Sequence, residues 1–112
     1  MELQNIQKRD GRTEAFNVKK IAAAIAKAFD AAYQPGQAHT AEMLAEEVAS
    51  MLEIEGLELP DVEHIQDLVE RVLMEQGHTE TAKAYILYRS ERTRAREFSQ
   101  RLSNLYRDIT YA

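Results

Sequence analysis

Apolar positions in this chain follow two periods. Near the start, Leu3, Asn5 and Gln7 alternate with Gln4, Ile6 and Lys8, the period-two pattern of a strand with two unlike faces. Asp10-Gly11 is a strong two-residue turn signal, and Arg12 to Phe16 is expected to return as the second strand of a β-hairpin. One hairpin is marginal alone, so it must pack on the rest of the chain.

From Asn17 onward the period becomes helical. Asn17 is a good N-cap, after which Val18, Ile21, Ile25, Ala28, Phe29 and Ala32 make one apolar face, with Lys19, Lys20 and Lys27 off that stripe. Pro35-Gly36 is expected to end this helix. Thr40 can cap a second helix with Leu44, Ala45, Val48, Met51 and Leu52 inward, closed by Gly56. Asp61, after Pro60, opens a third with Val62, Ile65, Leu68, Val69, Val72 and Leu73 inward, and Gly77 is its expected terminal glycine. Thr79 can cap a fourth, with Ala82, Tyr85, Ile86 and Arg89 on successive turns. Its pattern fades into an Arg-rich stretch. A last weak run, Phe98, Leu102, Leu105 and Tyr106, precedes a stop at Thr110-Tyr111-Ala112. The predicted fold is α+β, mostly α: an N-terminal β-hairpin packed on a bundle of about four helices.

At 112 residues the chain has the size of one domain, with 45% apolar and 29% charged residues. It contains no cysteine, which removes disulfides, thiolate metal sites and thiol chemistry. No apolar run approaches the roughly 20 residues that span a bilayer. The polar start, Met1 to Asn5, is unlike a signal peptide. A cytoplasmic location is expected.

Net charge is −5, which argues against a nucleic-acid surface, but its distribution is uneven. Residues 1–40 carry Lys8, Arg9, Arg12, Lys19, Lys20 and Lys27. Residues 41–80 carry twelve acids and one base, Arg71, and six arginines occur from Arg89 onward. If the two basic ends converge, they make a local anion site on an acidic protein.

Three groups of side chains offer chemistry. Lys8, Arg9 and Lys20 sit at a strand end and in a first helical turn, where cations and free backbone N–H groups together suit phosphate. The same residues also fit a solvated surface. Glu14 and Asn17 lie within reach of that clamp and can bond a base or ribose, although capping alone accounts for Asn17. Arg89, Arg92 and Arg96 share a helical face and can either contact phosphate or complement a helix dipole. Tyr85 reads as core rather than as a stacking platform. His39, His64 and His78 share no metal-ligand spacing. No P-loop or GxGxxG is present, and no catalytic constellation is visible.

Three stretches resemble the ATP-cone family. They are Ile6-Gln7-Lys8-Arg9-Asp10-Gly11-Arg12-Thr13-Glu14-Ala15-Phe16-Asn17, followed by Lys20-Ile21 and Ala24-Ile25; Val62 to Glu70; and Ala82 to Arg89, with Arg92 beyond. The first is distinctive, and the three occur in the family's order over about residues 3 to 96. The resemblance implies a nucleotide-binding domain over 1–96 and a helical or flexible connection to a missing remainder over 97–112. It further implies that Lys8, Arg9 and Lys20 hold phosphates and that Ile6, Glu14, Asn17 and Ile21 surround adenine. Glu63 matches a ribose contact, and Arg89 or Arg92 a late phosphate cation.

The implied effector is ATP or dATP with Mg²⁺. The implied function is allosteric control of a ribonucleotide reductase through quaternary structure. Expected partners are the reductase's catalytic body and further copies of the cone, with no membrane and no direct nucleic acid. The Arg-rich end favours an anaerobic, triphosphate-reducing parent. This chain alone is not expected to be an enzyme. Two alternatives stay open: the sensing domain of a reductase-operon repressor, and a helical protein-interaction domain that binds no nucleotide.

Overall fold

In the computed structural model, residues 3–111 are described, with side chains as far as Asn104. Two short strands, β1 (Asn5–Gln7) and β2 (Thr13–Ala15), precede four helices: α1 (Val18–Ala31), α2 (Ala38–Glu55), α3 (Val62–Glu75) and α4 (Thr79–Tyr111). The expected hairpin and helical bundle are both present.

The strands pair antiparallel with Asn5 opposite Ala15, Ile6 opposite Glu14, and Gln7 opposite Thr13. The turn is wider than the two-residue form expected from Asp10-Gly11. Lys8 N–H bonds the Arg12 carbonyl at 2.7 Å and Gly11 N–H bonds the Lys8 carbonyl at 2.9 Å, leaving a three-residue loop of Arg9, Asp10 and Gly11. Gly11 takes φ 87°, as such a loop requires. Asp10 fixes it by accepting from the Arg12 backbone N–H (3.0 Å) and guanidinium (2.6 Å). These bonds, the backbone one foremost, hold the Asp10 carboxyl below its usual range. The hairpin is tied to α3 where Gln7 N–H bonds the Pro60 carbonyl at 3.0 Å and Gln7 bridges to Asp61.

Local caps set several of the helix ends. Asn17 accepts from Lys19 N–H at 3.0 Å, and Asp61 from His64 N–H at 2.7 Å, both as read from the sequence. Gly77, at φ 83°, ends α3: its N–H bonds the Met74 carbonyl and His78 N–H bonds the Leu73 carbonyl. Gly56, at φ 69°, closes α2.

Three ends differ from expectation. Helix α1 stops at Ala31, before Pro35-Gly36, because Tyr33 takes the left-handed backbone (φ 61°) and Gln34 N–H turns back to the Phe29 carbonyl. Helix α2 starts at Ala38, where Ala41 N–H bonds the Gln37 carbonyl at 2.8 Å, so Thr40 falls inside the first turn instead of capping it. Thr79 is likewise the first residue of α4, with Ala82 N–H bonding the His78 carbonyl.

The core is drawn from all four helices. Ile25 and Phe29 of α1, Ala45, Val48 and Leu52 of α2, Val69, Val72 and Leu73 of α3, and Ala82 of α4 are almost wholly buried. Tyr85 is buried with them, as its spacing indicated. Ile86 is not: it lies on the outer side of α4, 43% exposed. Apolar residues Ile6, Phe16, Val18 and Ile21 are only half-buried against this core and line surface cavities together with some of its members. Helix α4 runs through residues 96 and 97 without a break. Every described side chain from Arg94 to Asn104 is exposed. Expectations for the side chains of Leu105 and Tyr106, and for Ala112, fall outside the described residues.

Candidate functional site

The hairpin register puts Ile6 and Glu14 opposite each other on one face, and that face looks onto α1 and α3. Between them lies a cavity of about 220 Å³. Its walls are apolar: Ile6 and Phe16 from the hairpin, Ile21 and Ala24 from α1, Ile65 and Val69 from α3, with Tyr85 contributed by α4. Glu14, Asn17, Lys20 and Gln66 supply the polar groups. Asn17 and Lys20 are there because α1 begins at this point, so the cap and first turn face the cavity mouth. The volume is below the roughly 300–1,000 Å³ of drug-sized sites, enough for one flat ring system with its substituents left outside.

A second, polar cleft of about 430 Å³ adjoins it and shares Val62. Gln7, Lys8, Arg9 and Gly11 of the hairpin form one side, and Asp61 and Glu63 at the start of α3 form the other. An apolar slot therefore opens beside a cleft furnished with cations.

Those cations are held by two carboxylates. Glu14 accepts from Lys20 Nζ at 2.8 Å and lies 3.7 Å from Lys8 Nζ. The Lys20 hydrogen bond, then the charges of Lys20 and Lys8, lower the Glu14 pKa. Glu63 pairs with Arg9 through one oxygen and with Arg89 through the other, at 2.5 Å for Arg89. Arg9 also donates to Gln66 at 3.3 Å.

Arg89 is the most enclosed of these cations. It bonds Asp67 and Glu70 of α3 at 2.8 Å each, besides Glu63. Burial alone would lower its pKa, but the hydrogen bonds it donates to the three acids outweigh that and raise it. Tyr85 beside it is pushed well up by burial.

The sequence-derived residues divide accordingly. Ile6, Glu14, Asn17, Lys20 and Ile21 line the cavity, and Lys8, Arg9 and Glu63 line the adjoining cleft. Arg89 and Arg92 line neither. Arg89 is engaged with α3, and Arg92 stands over the Tyr88 ring, 6.0 Å from its centroid. The two basic ends do converge, since Arg9 and Arg89 meet at Glu63. Arg96 belongs to the same region: burial, then the charges of Arg9 and Arg92, lower its pKa. Gln66 carries no distinctive signal in the sequence, although it stands three residues from Glu63 on the same helix face. The spacing of Ile65, Val69 and Tyr85 marks them as core, and periodicity cannot show that part of a core face also lines a cavity.

Two of the histidines, His64 and His78, have structural surroundings, and His39 lines the groove between α1 and α2. His64 pairs with Glu55 at 2.5 Å, and His78 packs edge-on against Phe29 with ring centroids 5.2 Å apart. Among the described residues, no group of three or more His, Cys, Asp or Glu is placed to hold a metal, and no helix is long and apolar enough to cross a membrane.

Residues 4–94 match the ATP cone domain family. The chain is 42% identical over 98 residues to the ribonucleoside-diphosphate reductase subunit alpha of Chlamydia pneumoniae, a match covering 81% of this chain and 9% of that protein. It is 41% identical over 100 residues to the vitamin B12-dependent ribonucleoside-diphosphate reductase of Thermoplasma acidophilum, covering 85% and 13%. It is 33% identical over 96 residues to the anaerobic ribonucleoside-triphosphate reductase of Haemophilus influenzae, covering 86% and 13%. The chain thus spans about a tenth of the length of the relatives it matches.

Proposed function

The chain belongs to the ATP-cone family, and from that premise we propose that it binds ATP and dATP in the hairpin–α1–α3 site and regulates a ribonucleotide reductase to which it is joined. One observation carries the reading: an apolar slot with Glu14 at its rim opens beside a cleft furnished with Lys8 and Arg9.

The purine enters between Ile6, Ile21 and Ile65, which remove its faces from water. Glu14, whose low pKa keeps it an acceptor-only carboxylate at neutral pH, suits the N6 amino group of adenine. It would oppose the O6 acceptor of guanine, which gives an adenine preference. Asn17 and Gln66 stand at the edge, within the same cavity, for the ribose. Lys8, Arg9 and Lys20 meet the phosphates beside the N-terminus of α3, where the backbone also favours anions. Glu63 borders this cleft and governs how freely Arg9 can turn to a phosphate. Mg²⁺ would ride on the triphosphate and solvent, its usual mode beside nucleotides.

ATP and dATP differ by one 2′-hydroxyl. A switch between active and inactive assemblies then requires the two complexes to differ in their affinity for those assemblies. Control through quaternary structure is the form proposed, with the catalytic body and further copies of the cone as partners in the cytoplasm. The relatives include both diphosphate and triphosphate reductases, so the proposed parent is a reductase of either substrate level.

Calorimetric titration with ATP, dATP and GTP in the presence of Mg²⁺ tests the reading. Binding selective for adenine is expected. Each of Lys8→Ala and Lys20→Ala should weaken it by about 1.5–3 kcal/mol, the range for a hydrogen bond to a charged group, or roughly 10- to 150-fold. Equal affinity for GTP, or affinity indifferent to both lysines, refutes it.

A further inference from the structure

At 1.5 Å per residue, the 33 residues of α4 extend about 50 Å, whereas the 14 of α1 extend about 21 Å. The molecule measures 54 × 37 × 18 Å. Helix α4 therefore outruns the bundle it packs on, and from Arg94 to Asn104 no described side chain is buried. This projecting part is not uniformly polar. Ala95, Phe98 and Leu102 recur at spacings of three and four, with Phe98 62% and Leu102 51% exposed. Leu105 and Ile109 continue the spacing in the sequence. Such a stripe is a packing seam, and at the positions before Ala95 and Leu102 it is flanked by Arg94 and Arg101. An exposed apolar seam on a helix is a surface on which a second helix can pack.

The same molecule carries a surface of matching character. Between α1 and α2 runs a groove of about 670 Å³ floored by Ala22, Ala23 and Ala26, with Met43 60% exposed at its side. The small α1 residues leave room for a helix to approach closely. Glu42 and Glu46, one turn apart on α2, stand on its acidic rim; Lys19 is its single lysine or arginine. Helix α2 as a whole has five acids and no lysine or arginine. Among the described residues, none of Arg94, Arg101, Glu42 and Glu46 forms an ion pair within the chain.

We propose that the projecting part of α4 docks in the α1–α2 groove of a second copy of this chain, with Phe98 and Leu102 on the alanine floor and Arg94 and Arg101 against Glu42 and Glu46. Ridge and groove lie on different faces of one molecule, so the contact is heterologous. It closes as a dimer when two copies exchange their α4 ends and extends into a larger ring when they do not. The inference specifies the partner surface for the reading that this domain acts through quaternary structure, and rests on that reading. The surfaces it uses are separate from the nucleotide cavity.

Sedimentation equilibrium of the 112-residue chain, with and without ATP or dATP, tests it by charge exchange. The wild type is expected to self-associate in a concentration-dependent way in at least one of these states. The double variants Glu42→Lys/Glu46→Lys and Arg94→Glu/Arg101→Glu should each weaken association at least tenfold. Mixing the two should restore it, because each then offers the other one native-signed and one doubly reversed contact. Phe98→Asp/Leu102→Asp should abolish association in every mixture. All substituted positions are exposed on helices, and circular dichroism with thermal melts confirms that each variant folds. A wild type that stays monomeric in all states overturns the proposal. So does association that survives the charge reversals, or a mixture that fails to recover. Calorimetry with ATP on the same variants separates the two ideas: intact nucleotide binding without exchange-dependent assembly sinks the docking surface alone.

Discussion

Glu63 joins two cations that belong to different parts of the site, and substituting it with Gln measures what that junction does. In the structure one oxygen holds Arg9 of the hairpin and the other holds Arg89 of α4. A triphosphate in the adjoining cleft must compete with Glu63 for Arg9 and must also tolerate the carboxylate's charge. Two unit charges about 4 Å apart interact by about 1 kcal/mol in water and about 4 kcal/mol at an effective dielectric of 20. The side chains of Arg9 and Glu63 are 30% and 45% exposed, so the lower end applies, in line with the roughly 0–1 kcal/mol typical of surface pairs. Glu63→Gln should therefore tighten ATP binding by about 1 kcal/mol, or roughly fivefold. Glutamine keeps an acceptor and adds a donor, so a ribose contact would survive the change. Arg89 retains Asp67 and Glu70, which limits the loss of stability to about 1 kcal/mol. The assay is calorimetric titration at two salt concentrations, since a screened electrostatic gain shrinks as salt rises. Unchanged or weaker binding at low salt would refute the competition argument and leave Glu63 as a ligand contact only.

The same geometry sets three further outcomes. Phe29 is 1% exposed at the centre of the core, so Phe29→Ala should cost about 3–5 kcal/mol in urea unfolding; a loss under about 1 kcal/mol would mean the core is not packed as described. Thr81 is fully buried and its Oγ1 has no hydrogen-bond partner among the described residues, so Thr81→Val should be neutral or stabilise by about 1 kcal/mol, read as a rise in Tm; clear destabilisation would reveal a bond to that hydroxyl. The folded pKa of Glu14 lies below its ordinary 4.5, so its pairing with Lys20 contributes stability above that pH, and the contribution is lost as pH falls through the lower folded value. Thermal melts across roughly pH 2 to 6 should show a shallower acid loss in Glu14→Gln than in the wild type, and identical slopes would contradict the pair.

Much of this protein was legible in its sequence because the deciding interactions are local. Asn17 and Asp61 cap helices through bonds two and three residues away. Gly77 ends α3 through its own backbone, and the stripes in α1 and α3 mark their inner faces within a few turns. The period-two start places Ile6 and Glu14 on one face once the strands pair. The hairpin motif likewise contains Ile6, Glu14, Asn17, Lys20 and Ile21, which line the hairpin and α1 side of the cavity and lie within a short stretch of chain.

The tertiary structure decided what depends on distant partners. Arg89 follows the inward spacing of α4, but its commitment to Glu63, Asp67 and Glu70 depends on how α4 lies on α3, which no local pattern specifies. Ile86 continues an apolar stripe and still faces outward, because no described element of the bundle covers that side. The contact between Arg9 and Gln66 spans 57 positions of sequence and depends on the hairpin lying against α3, where Gln7 N–H bonds the Pro60 carbonyl. Even the reach of α4 past its neighbours is a tertiary fact: periodicity assigns a helix its face, and only packing decides whether anything meets it.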